Sequence, residues 1–261
     1  MEKRLIAGGL LAGAVGAVLA FIFARLCAEP VIGRAIAFED GRTDAENAHG
    51  VHEHGAELFT RGVQSGPGLG FGVLIFGLAM GALFAVLFSV AYARTETAQP
   101  QALSLRLAAA AFGAVYVVPF VKYPPNPPAV GQADTIGART GWYLLMVLIS
   151  VGLAIGAVWL ARRLAARVGA WNAGLLAAAG YLVAVVVVGV LLPSVDETPG
   201  PLRDAAGTIV YPGFPADDLY EFRLLSLATQ LVLWAGIGLA FAAISGRLLG
   251  ARAGQESSIA A

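Results

Sequence analysis

The 261-residue chain is 58% hydrophobic and only 13% charged, with zero formal net charge and a mean hydropathy of +0.75. Soluble domains carry about 25% charged residues, so this composition argues against a water-soluble fold, and the balanced charge gives no reason to expect nucleic acid. The single cysteine, Cys27, rules out an internal disulfide and a thiolate zinc site.

Met1 to Arg4 is short and basic, and Leu5 to Ala24 is then apolar without a charge. A secretory signal has an apolar region of roughly 7–15 residues and a small-residue cleavage site. This run is longer and closes on Phe21-Ile22-Phe23-Ala24-Arg25, so it reads as an uncleaved first span. Leu26-Cys27 lacks the small residues of a lipobox, which leaves Cys27 as a thiol at a span end. Five more apolar runs follow: Pro67 to Tyr92, Leu107 to Val121, Trp142 to Leu160, Val168 to Leu192 and Leu224 to Ser245. Each approaches the roughly 20 residues needed to cross a ~30 Å hydrocarbon core, the Leu107 run only with its flanks. None alternates polar and apolar faces as a soluble helix would. The predicted fold is an all-α integral membrane protein with about six transmembrane helices, at roughly 5–25, 67–92, 105–122, 141–161, 170–192 and 224–246. The count drops to five if the Leu107 segment is re-entrant. The expected organisation is one transmembrane helical domain over 1–250 and a flexible cytoplasmic tail over 251–261.

An even number of spans puts both termini on one side. That side carries Lys3, Arg4, Arg94, Arg106, Arg162, Arg163, Arg167, Arg247 and Arg252 in short segments. The other side has nearly as many basic residues, spread over long loops. The positive-inside rule weighs short loops most, so both termini are expected in the cytoplasm and three longer loops outside. Most acids then face outward, which makes that face attract cations.

Small residues recur at helical spacing in Gly9 and Gly13, Gly77 and Gly81, and Gly152 and Gly156. Such pairs let membrane helices approach closely. The apolar runs contain no charged residue, whereas ion-coupled transporters usually carry an intramembrane acid or base. The polar groups at depth are Tyr116, Asn172, Tyr181, Gln230 and a few hydroxyls. Met80 and Met146 are soft enough to touch a metal, but methionine in a span is more often packing.

The first outer loop, from about Glu29 to Gly66, holds all three histidines within His49-Gly50-Val51-His52-Glu53-His54. Glu39, Asp40, Asp44 and Glu46 precede them and Glu57 follows. Neutral imidazole is a ligand for borderline divalent metals, and a carboxylate adds charge. Extended backbone puts His52 and His54 on one side; a helix puts His49 and His52 on one face. Either way two imidazoles can meet one ion. His49, His52, His54 and Glu53 are therefore the candidate metal ligands, of a type suited to Co²⁺, Ni²⁺, Zn²⁺ or Cu²⁺ rather than Mg²⁺ or Ca²⁺. The bland alternative is a solvated polar loop. The zincin pattern His-Glu-x-x-His is missing, since His54 follows Glu53 directly. No convergent nucleophile or fixed acid–base pair is evident either, so an enzyme is not expected.

The second outer loop, Lys122-Tyr123-Pro124-Pro125-Asn126-Pro127-Pro128, should end the third span and run stiff and extended. It reads as a rigid surface connector, or as the rim of a pathway. Trp142 and Tyr143 beyond it suit a membrane interface. In the third loop, Asp217 and Asp218 read as first-turn acids of a helix, with a role as metal ligands the alternative.

The order of these parts resembles the CbtA family of predicted cobalt transporter subunits. The resemblance rests on the small-residue-rich first span from Leu10-Leu11-Ala12-Gly13, on His52-Glu53-His54 with Arg61, and on Gly66-Pro67-Gly68. It rests also on the proline-rich turn after Val118-Pro119-Phe120 and on Phe214-Pro215-Ala216-Asp217. It implies a multi-pass protein of the bacterial cytoplasmic (inner) membrane that takes up cobalt for cobalamin synthesis. It also implies a small single-span partner of the CbtB type with a histidine-rich end. The histidine tract here is sparser than in many relatives. A non-transporting membrane scaffold or assembly partner with an incidental metal-binding loop is the alternative reading.

Overall fold

The computed structural model describes residues 2–48, 61–95, 99–128, 130–131, 135–195 and 198–259. Six helices among them are long and apolar enough to cross a bilayer, as the hydropathy pattern requires. We number them α1 (Glu2–Ala48), α2 (Ser65–Tyr92), α3 (Pro100–Lys122), α4 (Ile136–Val168), α5 (Ala170–Leu191) and α6 (Ala216–Ile259). The chain divides into two compact units, Met1–Phe112 with Tyr220–Ala261, and Gly113–Leu219.

In the first unit, α1 is gripped on two faces. Gly9, Gly13 and Ala17 recur every fourth residue and meet Gly77, Gly81 and Ala85 of α2. A β-carbon placed on Gly13 would fall on the carbonyl oxygen of Gly77, and one on Gly77 would lie 2.6 Å from the Ala17 β-carbon. A second stripe faces α6: a β-carbon on Gly16 would sit 2.7 Å from the Leu233 carbonyl oxygen, and one on Gly236 would sit 2.8 Å from the Gly16 Cα. Lipid tails are as apolar as leucine, so membrane helices associate through close packing rather than through exclusion of water. Glycine on both sides brings backbones together and multiplies those contacts. Beyond the crossing, Phe241 of α6 packs edge-on against Phe84 and Phe88 of α2, with ring centroids 5.4 and 4.9 Å apart. The N-terminal half of α3 docks on α6, where the buried Ser104 hydroxyl donates to the Gly238 carbonyl at 2.9 Å.

The first helix does not stop where its apolar run stops. It continues as helix through Glu29–Ala48, a stretch the sequence suggested as the start of a loop. The junction is a π turn, Ala24–Ala28, two residues before Pro30. A proline inside an α-helix drives its ring into the carbonyl four residues back and removes a donor. One wider turn accommodates that clash without ending the helix. The same device recurs at Gln64–Gly68, which contains Pro67, and at Phe112–Val117, just before Pro119. Polar pairs then hold the extension: Arg42 bonds Glu46 one turn on at 3.0 Å, and Arg34 pairs with Glu221 of α6. At 47 residues, α1 is about 70 Å long, more than twice the hydrocarbon thickness.

In the second unit, α4 and α5 form an antiparallel hairpin joined by Gly169 alone, whose φ of +81° suits a residue without a β-carbon. Ser150 and Tyr181 hydroxyls share a 2.8 Å hydrogen bond between the two helices, beside the buried Met146. Large apolar side chains such as Leu182, Val186 and Val190 remain exposed along α5, up to 78%. Water would not tolerate so continuous an apolar face, whereas acyl chains would. Gly152 and Gly156 have nothing near them, so their spacing goes unused within the unit.

Gly13→Leu should therefore disrupt the α1–α2 crossing by about 1–3 kcal/mol or more, the cost of overpacking a tight contact. Gly152→Leu should change stability by much less. Thermal unfolding of the detergent-purified variants, followed by tryptophan fluorescence, compares the two directly.

Candidate functional site

The predicted ligands His49, His52, Glu53 and His54 lie outside the described residues, so their geometry is not on view. The helix that precedes them is described. The helical extension of α1 ends at Ala48, one residue before His49. On the far side the chain resumes as helix at Arg61–Val63 and passes through the Pro67-containing π turn into α2. The cluster is thus flanked by the two helices that the glycine crossing locks together.

On the extension, Asp40 and Asp44 occupy an exposed face one helical turn apart. Glu46 is engaged by Arg42. Among the described residues no three His, Cys, Asp or Glu side chains converge to hold a metal ion. The acids before the histidines therefore supply charge along a helix rather than a finished coordination sphere.

Further into the same unit, α1, α2 and α6 enclose an open cavity of about 410 Å³. Ala20, Gly72, Phe76, Thr229 and Gln230 are among the residues lining it. Its polar groups are the Gln230 carboxamide and the Thr229 hydroxyl, which donates to the Leu225 carbonyl at 2.7 Å. With no ionisable group in its wall, this cavity offers neutral oxygen ligands and no counter-charge for a dication.

In the second unit, the proline loop ends α3 at Lys122, as the sequence requires. It is packed, however, rather than laid over the surface. Tyr123, Pro127 and Val130 are buried, and the Tyr123 hydroxyl donates to the Pro193 carbonyl at 2.8 Å. That bond ties the end of α3 to the end of α5. Burial pushes the Tyr123 phenol above its usual range, so it stays a proton donor at any physiological pH.

The third loop contains a small antiparallel hairpin, β1 (Leu202–Arg203) and β2 (Ile209–Tyr211), which hydropathy does not reveal. Its turn is set by Asp204, whose Oδ1 accepts from the Ala206 and Thr208 amides at 2.9 and 2.8 Å, and by Gly207 at φ +82°. The Asp204…Gly207 spacing was the available signal for this turn. The chain then folds back so that the Phe214 amide bonds the Pro199 carbonyl at 2.9 Å with the Phe214 ring buried. Asp217 and Asp218 do stand in the first turn of α6.

Asn172 is not a polar group at depth. It sits in the exposed first turn of α5 and donates to the Val168 carbonyl at 3.1 Å. Among the described residues, the buried polar side chains that the sequence left unnamed are Ser104, Ser150 and Ser245. Serine is too common in apolar helices for any one to stand out.

The model of one protein family, described as a probable cobalt transporter subunit (CbtA), matches residues 2–246. The chain belongs to the CbtA family. No curated protein and no solved structure matches it. The match spans all six apolar helices except the end of α6, so the CbtA assignment covers both compact units. A CbtA protein is by description one part of a larger transporter, which agrees with a multi-pass membrane architecture.

Replacing Tyr123 with Phe removes the donor to Pro193 and leaves a carbonyl unsatisfied. The expected cost is about 1–2 kcal/mol, read as a lowered unfolding midpoint of the purified protein in detergent.

Proposed function

We propose that this CbtA protein is the membrane-embedded subunit of a divalent transition-metal uptake system of the bacterial inner membrane, with cobalt as the metal. The observation that carries the reading is the family match over residues 2–246. Both termini face the cytoplasm, and His49, His52, His54 and Glu53 form an external capture site. Their support is chemical: every imidazole of the chain falls in one six-residue stretch, preceded by four acids. Co²⁺ is held well by imidazole, and Ni²⁺ or Zn²⁺ would compete. Because ligands must be ordered around the ion, capture is of modest affinity. The partner is a small single-span subunit of the CbtB type, whose own histidines would receive or deliver the ion.

The absence of charge in the apolar runs suits a protein that draws its driving force from a partner or from the gradient across the membrane. It suits a non-transporting scaffold equally well. Reconstitution in liposomes with a metal-sensitive dye separates the two, since a scaffold gives no cobalt flux with any partner.

Changing His49, His52 and His54 together to Ala should raise the external cobalt needed for half-maximal uptake by at least about tenfold, since even outer-shell changes at metal sites cost that much. Normal cobalt accumulation by the triple variant at limiting cobalt would end the capture role.

A further inference from the structure

The turn between α4 and α5 carries a basic column that no acid among the described residues relieves. Trp159, Arg163 and Arg167 follow one another at four-residue intervals, so they share a single face of α4. The Arg163 guanidinium lies 5.1 Å from the centre of the Trp159 ring, a cation–π contact. Arg162 is adjacent, and all three arginines are exposed. Among the described residues none forms an ion pair with them. Like charges at i and i+4 repel weakly, and an anion seated between them would relieve that repulsion.

Its height is set by the fold. The uncharged part of α4 from Trp142 to Leu160 spans about 28 Å, close to a full hydrocarbon core. Arg162 to Arg167 come within the next two turns. They cannot run on into water, because the chain reverses at Gly169 and re-enters as the apolar α5. That reversal sets Arg163 roughly level with the second turn of α5. Trp171 in the first turn is 78% exposed and Trp159 is 58% exposed. Indole belongs at the boundary between headgroups and acyl chains. Two outward tryptophans thus bracket guanidinium groups held at headgroup depth. The first-turn amides of α5 have no side-chain cap and add a weaker pull on the same charge.

We propose that Arg163 and Arg167, flanked by Arg162, Trp159 and Trp171, form a binding site for an anionic phospholipid. The guanidinium groups bridge its phosphate, and the indole rings pack along the upper acyl chain. Bidentate geometry suits arginine to this task better than lysine. The site depends neither on the metal-capture loop nor on which side of the membrane this turn faces.

Native mass spectrometry of the purified full-length protein, after delipidation and titration with lipid, tests the site. Phosphatidylglycerol should be retained by the wild type and phosphatidylcholine should not. Arg163→Gln with Arg167→Gln should weaken phosphatidylglycerol binding roughly thirtyfold, the equivalent of about 1 kcal/mol per charge. Arg163→Lys with Arg167→Lys should fall between, keeping charge without the fork. Thermal stability supplies the second arm: phosphatidylglycerol should raise the unfolding midpoint of the wild type more than that of the double Gln variant, and inorganic phosphate should raise neither. Equal retention of both lipids, unchanged retention by the double Gln variant, or stabilisation by inorganic phosphate as large as by the lipid would each overturn the assignment.

Discussion

The contact of backbone with backbone along α1 is the constraint from which the first unit is built. In lipid no exclusion of water drives helices together, so stability must come from the number and closeness of atomic contacts. α1 obtains these twice, through Gly9 and Gly13 against α2 and through Gly16 against Gly236 of α6. Three helices meet with hardly a side chain between them. The aromatic cluster of Phe84, Phe88 and Phe241 then fills the space where α2 and α6 meet each other beside it. No buried ion pair is needed, which fits the absence of charge in the apolar runs.

Three prolines decide how the long helices end, or fail to end. Pro30, Pro67 and Pro119 each lie within or just beyond a π turn, and in each case helix continues on the far side. This is why α1 runs on as a polar post after its apolar run is exhausted. The residues proposed to capture metal depart from the tip of that post. The post itself adds twenty residues of regular helix beyond the proline turn.

Hydropathy alone made the six spans legible, because a backbone in lipid must satisfy its own hydrogen bonds and a helix does so within one segment. The small-residue spacing was legible too, but not its use. Gly9/Gly13 and Gly77/Gly81 found each other, while Gly152/Gly156, identical in pattern, found nothing within its unit. The helix over Glu29–Ala48 was hidden because it has no apolar period to read and begins beside a proline. The histidine cluster stood out by composition, as chemistry usually does when a rare residue type is confined to one place. The fastening of the helix that precedes it did not, since that depends on Arg34 meeting Glu221, a partner 187 residues away. The packed proline loop escaped for the same reason: the acceptor of Tyr123 is Pro193, on another helix end.

The glycine crossing also has a genetic consequence. Every missense change at codons 13, 77 or 81 adds at least one carbon where the opposing main chain already stands. No conservative replacement exists, not even alanine. The lipid-facing valines and leucines meet no such barrier, while these three positions admit a side chain only if the neighbouring helix shifts.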